Sequence, residues 1–578
     1  MSRRLPLMLA ACVLAVLGLS AGSAPAAMVT VFGHNGRTHV VNNPYLTGSA
    51  ANPALPAAPV SGAILAPPAS PLAITPEARA PLARVARVGR PALTSKKKPK
   101  PVTFPQALLN LRNKGTLDAA DYQSDVKAWN QATSEQTHIA KWRATPLKDV
   151  TATFNEMAAD KQVTVPRLPV LMLTLENNTK YWKTGTALDN GASVQFQGSE
   201  LVWQYYAGSG IQLQILHTFG EGDGYYEAGP ADYTKLTTLM SEMVPLAVKR
   251  GGGLAWEYYF NWEGGKPPWV SAMAQGTALE ALTDTYLATG NHQYLTDAHD
   301  ALPLLETAPP TGTALKTTLG TRYLQYSFTP KTDIINAFLE TLIGLYDYSQ
   351  ASLDPTATAL YNAGNVQAQS ELKSFIVGGW SLYQPGEADS LSYHTLVTGF
   401  LKLLCQKTQI SVYCTTYQQF EADLLTKPQL TVLTTSATAS KKFNLKFKTS
   451  KYATVGITLS QGTKNYVYTK KSFFAGNSSF PVPKLKAGTY GLTMSVTDPV
   501  GHYAKLTTDL RVCKGTCPPQ PYAIRPTTGT VQTVTVPIPK PTKTTTTTTT
   551  TTTPTTTTGT TTTPSTTTGT TTTGGAGI

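Results

Sequence analysis

From Phe104 to about Lys427, apolar residues recur at helical spacing in one segment after another, with Gly, Pro or Asn between them. The spacing predicts helices in PQALLNLRNK and LDAADYQSDVKAWNQA, and over Tyr233 to Val248, Ser271 to Thr289, Asp333 to Tyr348 and Tyr393 to Gln406. Helices of this length on short loops build either a solenoid or an α/α toroid whose inner helices enclose a cleft. No fixed repeat period is visible, which favours the toroid. From about Leu430 to Val512 the period switches to two: FNLKFKTS, ATVGITLS, NYVYTK and GLTMSVTD alternate between Gly, Asn, Ser and Pro breaks. That predicts a small antiparallel β-sandwich of Ig-like type. Near the start, VTVFGHNGRTHVV alternates around Asn35-Gly36, a hairpin signal.

The chain therefore reads as multidomain and mainly α: an α/α toroid (incomplete α/α barrel), a small Ig-like β-sandwich and a disordered tail. Arg3 and Arg4 precede an apolar run from Leu5 to Leu19 and the small residues AGSAPAA, which predicts a signal peptide over 1–27 and a secreted protein. A lipoprotein-like box ends at Cys12, but the apolar run continues past it. A hairpin arm over 28–41 and an Ala/Pro-rich linker over 42–101 follow. Next come the helical domain over 102–427 and the sandwich over 428–512. A Pro-rich linker covers 513–541, and a Thr-rich tail over 542–578 has the composition of an O-glycosylated wall-threading stalk or of a plain disordered tail. Past the signal no stretch reaches the length of a membrane span.

Composition adds three constraints. Cys405, Cys414, Cys513 and Cys517 remain after the signal, an even set suited to two local disulfides; a metal pair at Cys513 and Cys517 would lack a second ligand cluster. The net charge of +14 suits a polyanionic partner such as an acidic polysaccharide or wall polymer, rather than nucleic acid in an extracellular setting. A homodimer is left open. The histidines lack ligand spacing, and no nucleotide loop or Gly-x-Ser-x-Gly elbow appears, so neither a metal nor a cofactor is expected.

Tyrosines and tryptophans carry the candidate chemistry. In GGWSLYQPGEADSLSYHTLVTGFLKLL, Tyr383 lies on an irregular stretch broken by Pro385 and Gly386, and Tyr393 and His394 fall in the first turn of a helix. There the helix N-terminus favours an anion. In AWEYYFNWEGGKPPWVSAMAQG, Trp256, Trp262 and Trp269 crowd one loop. They read equally as platforms for sugar rings and as anchors that pin the loop into the core.

Four blocks in order, PPWVSAMAQGTALEALTDTYLATG, LQYSFTPKTDIINAFLETLIGLYDY, WSLY and the helix opening on Tyr393-His394-Thr395, resemble the C-terminal domain of the D-glucuronyl C5-epimerases. WQYYAGSGIQLQILHTFG is a weaker leading edge. The resemblance implies a cofactor-free enzyme that removes the C5 proton of a uronic acid unit in a polymer and returns it to the opposite face. It places Tyr326, Tyr383 and Tyr393 on the family's tyrosine positions, the first two as acid/base candidates and the third as a stabiliser of the substrate carboxylate. A tyrosine base needs a lowered pKa, about 4 kcal/mol for three units. Arg322, Lys266 and His394 are the candidate cations, with Asn336 to orient the carboxylate. Trp256, Trp262, Trp269, Gln275 and Gln325 complete the expected substrate-binding set. Animal members carry a glutamate where Gln325 stands and an arginine where Gly386 stands; if those groups are essential, this chain binds uronates without epimerising them or uses another residue such as Glu387. The rivals are a uronate lyase and a catalytically inactive glycan- or wall-binding protein. Paired carboxylates that would suit a hydrolase do not stand out.

Overall fold

The computed structural model describes residues 27–46 and 100–518. The signal segment, most of the Ala/Pro-rich linker and the chain from 519 onward, including the Thr-rich tail, lie outside the described residues. The helical body consists of α1 (Phe104–Asn113), α2 (Ala119–His138), α3 (Lys141–Ala159), α4 (Leu168–Thr184), α5 (Ile215–Ala228), α6 (Tyr233–Met243), α7 (Ala272–Thr289), α8 (Gln293–Ala301), the single turn α9 (Pro303–Glu306), α10 (Ile335–Ser352), α11 (Pro355–Glu371), α12 (Leu391–Thr408) and α13 (Ser411–Leu425).

Local chemistry sets the ends of these helices. The Ser271 and Ser390 hydroxyls accept from the backbone N–H of Ala274 and Tyr393 and cap α7 and α12. Gly290, at φ 70°, closes α7 in the left-handed conformation. The helix expected to reach Val248 stops at Met243, because Val244–Leu246 tightens into a 3-10 turn around Pro245 and Val248–Arg250 becomes a strand.

Helices α5, α7, α10 and α12 pack side by side as an inner layer, each against the outer helix that follows it: α6, α8, α11 and α13. Gly276 and Gly344 let the α7 and α10 backbones touch; a methyl at Gly276 would lie 2.6 Å from Thr341 Cα. Contacts advance together along α7 and α10, from Thr277 beside Glu340 to Asp284 beside Asp347, so the two run parallel. Lys407 near the end of α12 bonds Asp347 in the last turns of α10 at 2.7 Å, which gives α12 the same sense. The N-termini of these inner helices therefore lie at one end of the layer.

The strands Ala27–Phe32 and Thr38–Asn43 form a hairpin that joins a five-stranded sheet through parallel pairing of the first with Ser193–Phe196. Asn43 Nδ2 donates to the buried Glu221 Oε1 at 2.8 Å and keys the hairpin onto α5. At the other end, a three-stranded sheet (Leu430–Val432, Phe443–Thr449, Gly476–Val482) faces a five-stranded one (Ser436–Thr438, Tyr503–Cys513, Gly488–Thr497, Ala453–Gln461, Lys464–Phe473). The two sheets share a core that includes Leu445, Phe447, Ile457, Leu492 and Met494. Cys405 pairs with Cys414 across the α12–α13 turn, and Cys513 with Cys517.

The β-sandwich presses on the segment that leads to Tyr383. Lys451, buried, donates to Asp498 Oδ2 at 2.8 Å and to the Asp423 and Thr426 carbonyls at 2.6 and 2.9 Å, with its Nζ 5.7 Å from the Trp380 ring. Gly379, at φ 75°, makes room for it, since a Cβ there would meet Lys451 Cβ at 2.5 Å. Replacing Lys451 by Met leaves the buried Asp498 carboxylate with His502 alone and takes the Lys451 donor from two carbonyls. We expect Lys451→Met to lower unfolding free energy by about 3 kcal/mol, measured by urea denaturation.

Candidate active site

The site is built on three irregular segments at the N-terminal end of the inner helices. The loop from Trp256 to Trp269 is pinned by Glu257, whose carboxylate bonds Arg167 Nε at 2.7 Å and Nη2 at 3.0 Å, Arg250 Nη1 at 2.7 Å and the Tyr259 hydroxyl at 3.1 Å. The loop closes on itself through a Tyr258–Trp269 bridge, and Trp262 and Gly265 exchange backbone hydrogen bonds of 3.1 and 2.7 Å. Tyr326 follows the short strand Thr321–Tyr323 and precedes α10. Tyr383 lies on the strand Leu382–Gln384, which turns through Gly386, at φ 88°, to pair with Glu387–Ala388. Tyr393 sits in the first turn of α12.

These segments bring Tyr326, Tyr383 and Tyr393 together. The rings of Tyr383 and Tyr393 lie 4.9 Å apart at 53°. Tyr326 stacks on Phe328 at 5.3 Å and meets the edge of Trp269 at 5.6 Å. Its hydroxyl is buried without a well-formed hydrogen bond, although Trp262, Tyr383 and Gln325 present polar atoms to it. Burial raises the pKa of all three hydroxyls well above the ordinary phenol value, and the charge of Glu263 raises each further. At neutral pH all three are protonated.

A polar layer that the sequence reading missed borders this cluster. Tyr206 donates to Gln204 Oε1 at 2.6 Å and accepts from Gln214 Nε2 at 2.8 Å, and Tyr258 donates to Gln214 Oε1 at 2.8 Å. Tyr206 lies near enough to Tyr326 and Tyr393 for their charges to bear on it. The signal was present in WQYYAGSGIQLQ, where glutamines alternate along buried strands, a pattern that water-facing residues would not produce.

The other expected residues divide between anchoring the loop and bordering the cluster. Trp256 is 1% exposed, donates from Nε1 to the Met243 carbonyl at 2.9 Å and packs edge-on with Phe219. Trp269 stacks on Tyr258 at 4.2 Å. These two anchor the loop in the core, while Trp262 is half-buried beside Tyr326. Gln275 brackets the Trp256 backbone, donating to its carbonyl at 3.1 Å, and so positions the loop. Gln325 accepts from Ser271 at 3.4 Å. Asn336 is buried at the start of α10 with its Oδ1 unpartnered.

The cation expectation needs correction. Arg322 is held by Asp333 and Glu371. Lys266 is exposed and paired with Glu156 at 2.7 Å and Asp160 at 3.5 Å. His394 is fully enclosed, stacked on Trp380 at 3.9 Å with Nδ1 2.7 Å from Ser381 Oγ, and burial lowers its pKa to about 4. It is neutral at pH 7, so none of the three brings free positive charge to the tyrosines. Among the described residues, no group of three or more His, Cys, Asp or Glu side chains is placed to hold a metal ion.

The buried tyrosines lie in a segment of the chain that is similar to known carbohydrate epimerases. Residues 250–422 match the family model described as D-glucuronyl C5-epimerase C-terminus. That segment is thus similar to the C-terminal part of the D-glucuronyl C5-epimerases, and all three tyrosines fall inside it. A D-glucuronyl C5-epimerase of Caenorhabditis elegans is 34% identical over 130 residues, covering 20% of this chain and 21% of that protein. The chain thus spans about a fifth of that relative's length. Solved structures overlap loosely. A cellobiose 2-epimerase of Bacillus thermoamylovorans has TM-score 0.28 and 12% identity over 44% of this chain and 71% of its own. A sugar epimerase from a ruminal bacterium has TM-score 0.29 and 10% identity over 45% and 72%.

Because the Tyr326 hydroxyl makes no well-formed hydrogen bond, removing it loses no interaction of the folded state. Tyr326→Phe should change unfolding free energy by less than about 1 kcal/mol in chemical denaturation. A larger loss would mean that the hydroxyl is structural.

Proposed function

We propose that this protein is a secreted C5-epimerase of a uronic-acid polysaccharide, with an incomplete α/α toroid as its catalytic body and an Ig-like module behind it. The observation that carries the reading is the convergence of Tyr326, Tyr383 and Tyr393, from three separate segments, on one buried cluster. The C5 hydrogen of a uronate lies α to a carboxylate, and its loss builds enolate-like charge on the carboxylate oxygens. Protonated phenols in a water-poor pocket are suited to donate hydrogen bonds to that charge. The N-termini of α10 and α12 add positive potential at the same end, and the unpartnered Oδ1 of Asn336 is available to accept from a sugar hydroxyl. The net charge of +14 suits a polyanionic substrate.

Inversion also requires one group on each face of the sugar ring, so that the proton leaves one side and arrives on the other. Tyr326 and Tyr383 come from different segments and are the tyrosine candidates for one of these two groups. Tyr393, at the helix N-terminus, is the stabiliser of the carboxylate.

The test is proton NMR of uronic-acid polymers incubated with the protein in deuterated water. We expect deuterium at C5 and new signals of the C5 epimer with the wild type, and a fall of at least about 100-fold in exchange with Tyr383→Phe. Rising ultraviolet absorbance with chain shortening would instead identify a lyase. Binding without exchange on every polymer tried would leave a glycan-binding protein.

A further inference from the structure

This inference rests on the epimerase reading and concerns the group that starts the reaction. A two-face proton transfer needs one partner protonated and the other deprotonated before substrate arrives. The tyrosine cluster does not meet that need: all three hydroxyls are held in the protonated form, and Arg322, Lys266 and His394 supply no free cation to stabilise a tyrosinate.

Glu263 stands at the mouth of this cluster on the two-residue turn between Trp262 and Gly265. Both central residues are left-handed, Glu263 at φ 45° and Gly264 at φ 84°. Such a turn favours Asn-Gly, and a glutamate in its first position costs about 1 kcal/mol. Backbone strain of this kind, kept at a site mouth, points to a side chain needed there. The turn is fixed against the tyrosines from two sides. Gly265 lies flat on Phe328, where a Cβ would come within 2.5 Å of the ring, and Phe328 stacks on Tyr326. Trp262, the preceding residue, directs its indole N–H toward the Tyr326 hydroxyl. Glu263 itself is exposed to solvent, where an incoming sugar can meet it. Its charge bears on Tyr326, Tyr383 and Tyr393, whereas Asp389 and Glu387 bear on Tyr393.

We propose that Glu263 is a catalytic residue, the carboxylate base that takes the C5 proton, with Tyr326 or Tyr383 returning a proton to the opposite face. The C5–H bond breaks with its proton passing to a Glu263 oxygen and its electron pair entering the substrate carboxylate. The electron pair then takes a proton from the tyrosine hydroxyl to form the new C5–H bond. This leaves protonated Glu263 and a tyrosinate, and transfer of the Glu263 proton to the tyrosinate through water restores the resting state.

The titratable groups facing Glu263 are the three tyrosines and Glu387, and Lys266 on the same loop is occupied by Glu156 and Asp160. Partial burial and Glu387 raise the pKa of Glu263 above the ordinary carboxylate value. Exchange should therefore fall as the medium is acidified through that raised value, because the protonated form is inactive.

The experiment measures C5 deuterium exchange against pH for the full chain and for Glu263→Gln and Glu387→Gln, with polymer binding measured in parallel. We expect Glu263→Gln to lose at least about 100-fold of the exchange while binding the polymer as tightly as wild type, and its residual rate to lack the acid limb. Glu387→Gln removes a like charge, so its acid limb should move to lower pH. Exchange within a few-fold of wild type in Glu263→Gln, or an acid limb that survives in it, overturns the role of Glu263 while leaving the epimerase reading intact. A wild type silent on every uronate polymer overturns both.

Discussion

The carboxylate of Glu257 is the interaction on which the candidate site depends. It is fully enclosed, and an isolated charge there would be untenable; two guanidinium groups and a phenol hydroxyl make it a net attraction. Its partners come from distant parts of the chain. Arg167 precedes α4, and Arg250 ends a strand and also binds the carbonyls of Pro268, Pro310 and Thr311 at 3.1, 2.7 and 2.6 Å. One buried charge thus ties the aromatic loop to the helical body at its start and, through Pro268, near its end. Trp262 and Trp269 reach Tyr326 because the loop between them has no freedom to swing away.

The inner helices arrange charge along their length. Their N-termini face the tyrosines, and buried acids occupy the later turns: Asp223 on α5, Glu280 and Asp284 on α7, and Asp347 on α10, with Lys407 of α12 beside Asp347. Desolvation raises these carboxyls, Asp284 to about 8. Desolvation thus favours the neutral form of these carboxyls, and Lys407 offsets the charge of Asp347. The tyrosine end keeps the positive potential of the helix termini, which suits a substrate that brings its own negative charge.

Much of this was legible locally. Helical spacing, with Ser at the caps of α7 and α12, placed α7, α10 and α12 within a few residues of their observed bounds, and the switch to period two marked the alternating strands of the sandwich. The tyrosines were legible because they stand in family blocks. Charge pairing was not legible. Arg322 finds Glu371 forty-nine residues away and Lys266 finds Glu156 more than a hundred away, so a residue that reads as a free cation can already be neutralised by a partner that no local pattern reveals. The reverse error hid Glu263. A glutamate before two glycines reads as turn chemistry, and only the stacking of Gly265 on Phe328 and of Phe328 on Tyr326 brings it to the pocket.

The protonated state of the tyrosines decides how such a pocket can work. A phenol held neutral by burial is a poor base for an unactivated C–H bond, because forming its anion means placing charge in the medium that raised its pKa. The same phenol is a good donor to an oxyanion, since the hydrogen bond adds no net charge and strengthens as negative charge builds on its acceptor. On the proposed reading, three such hydroxyls in one buried cluster serve more to stabilise the second negative charge that appears when a uronate loses its C5 proton than to initiate that loss. Burial makes the tyrosines weak at the first step and effective at the second.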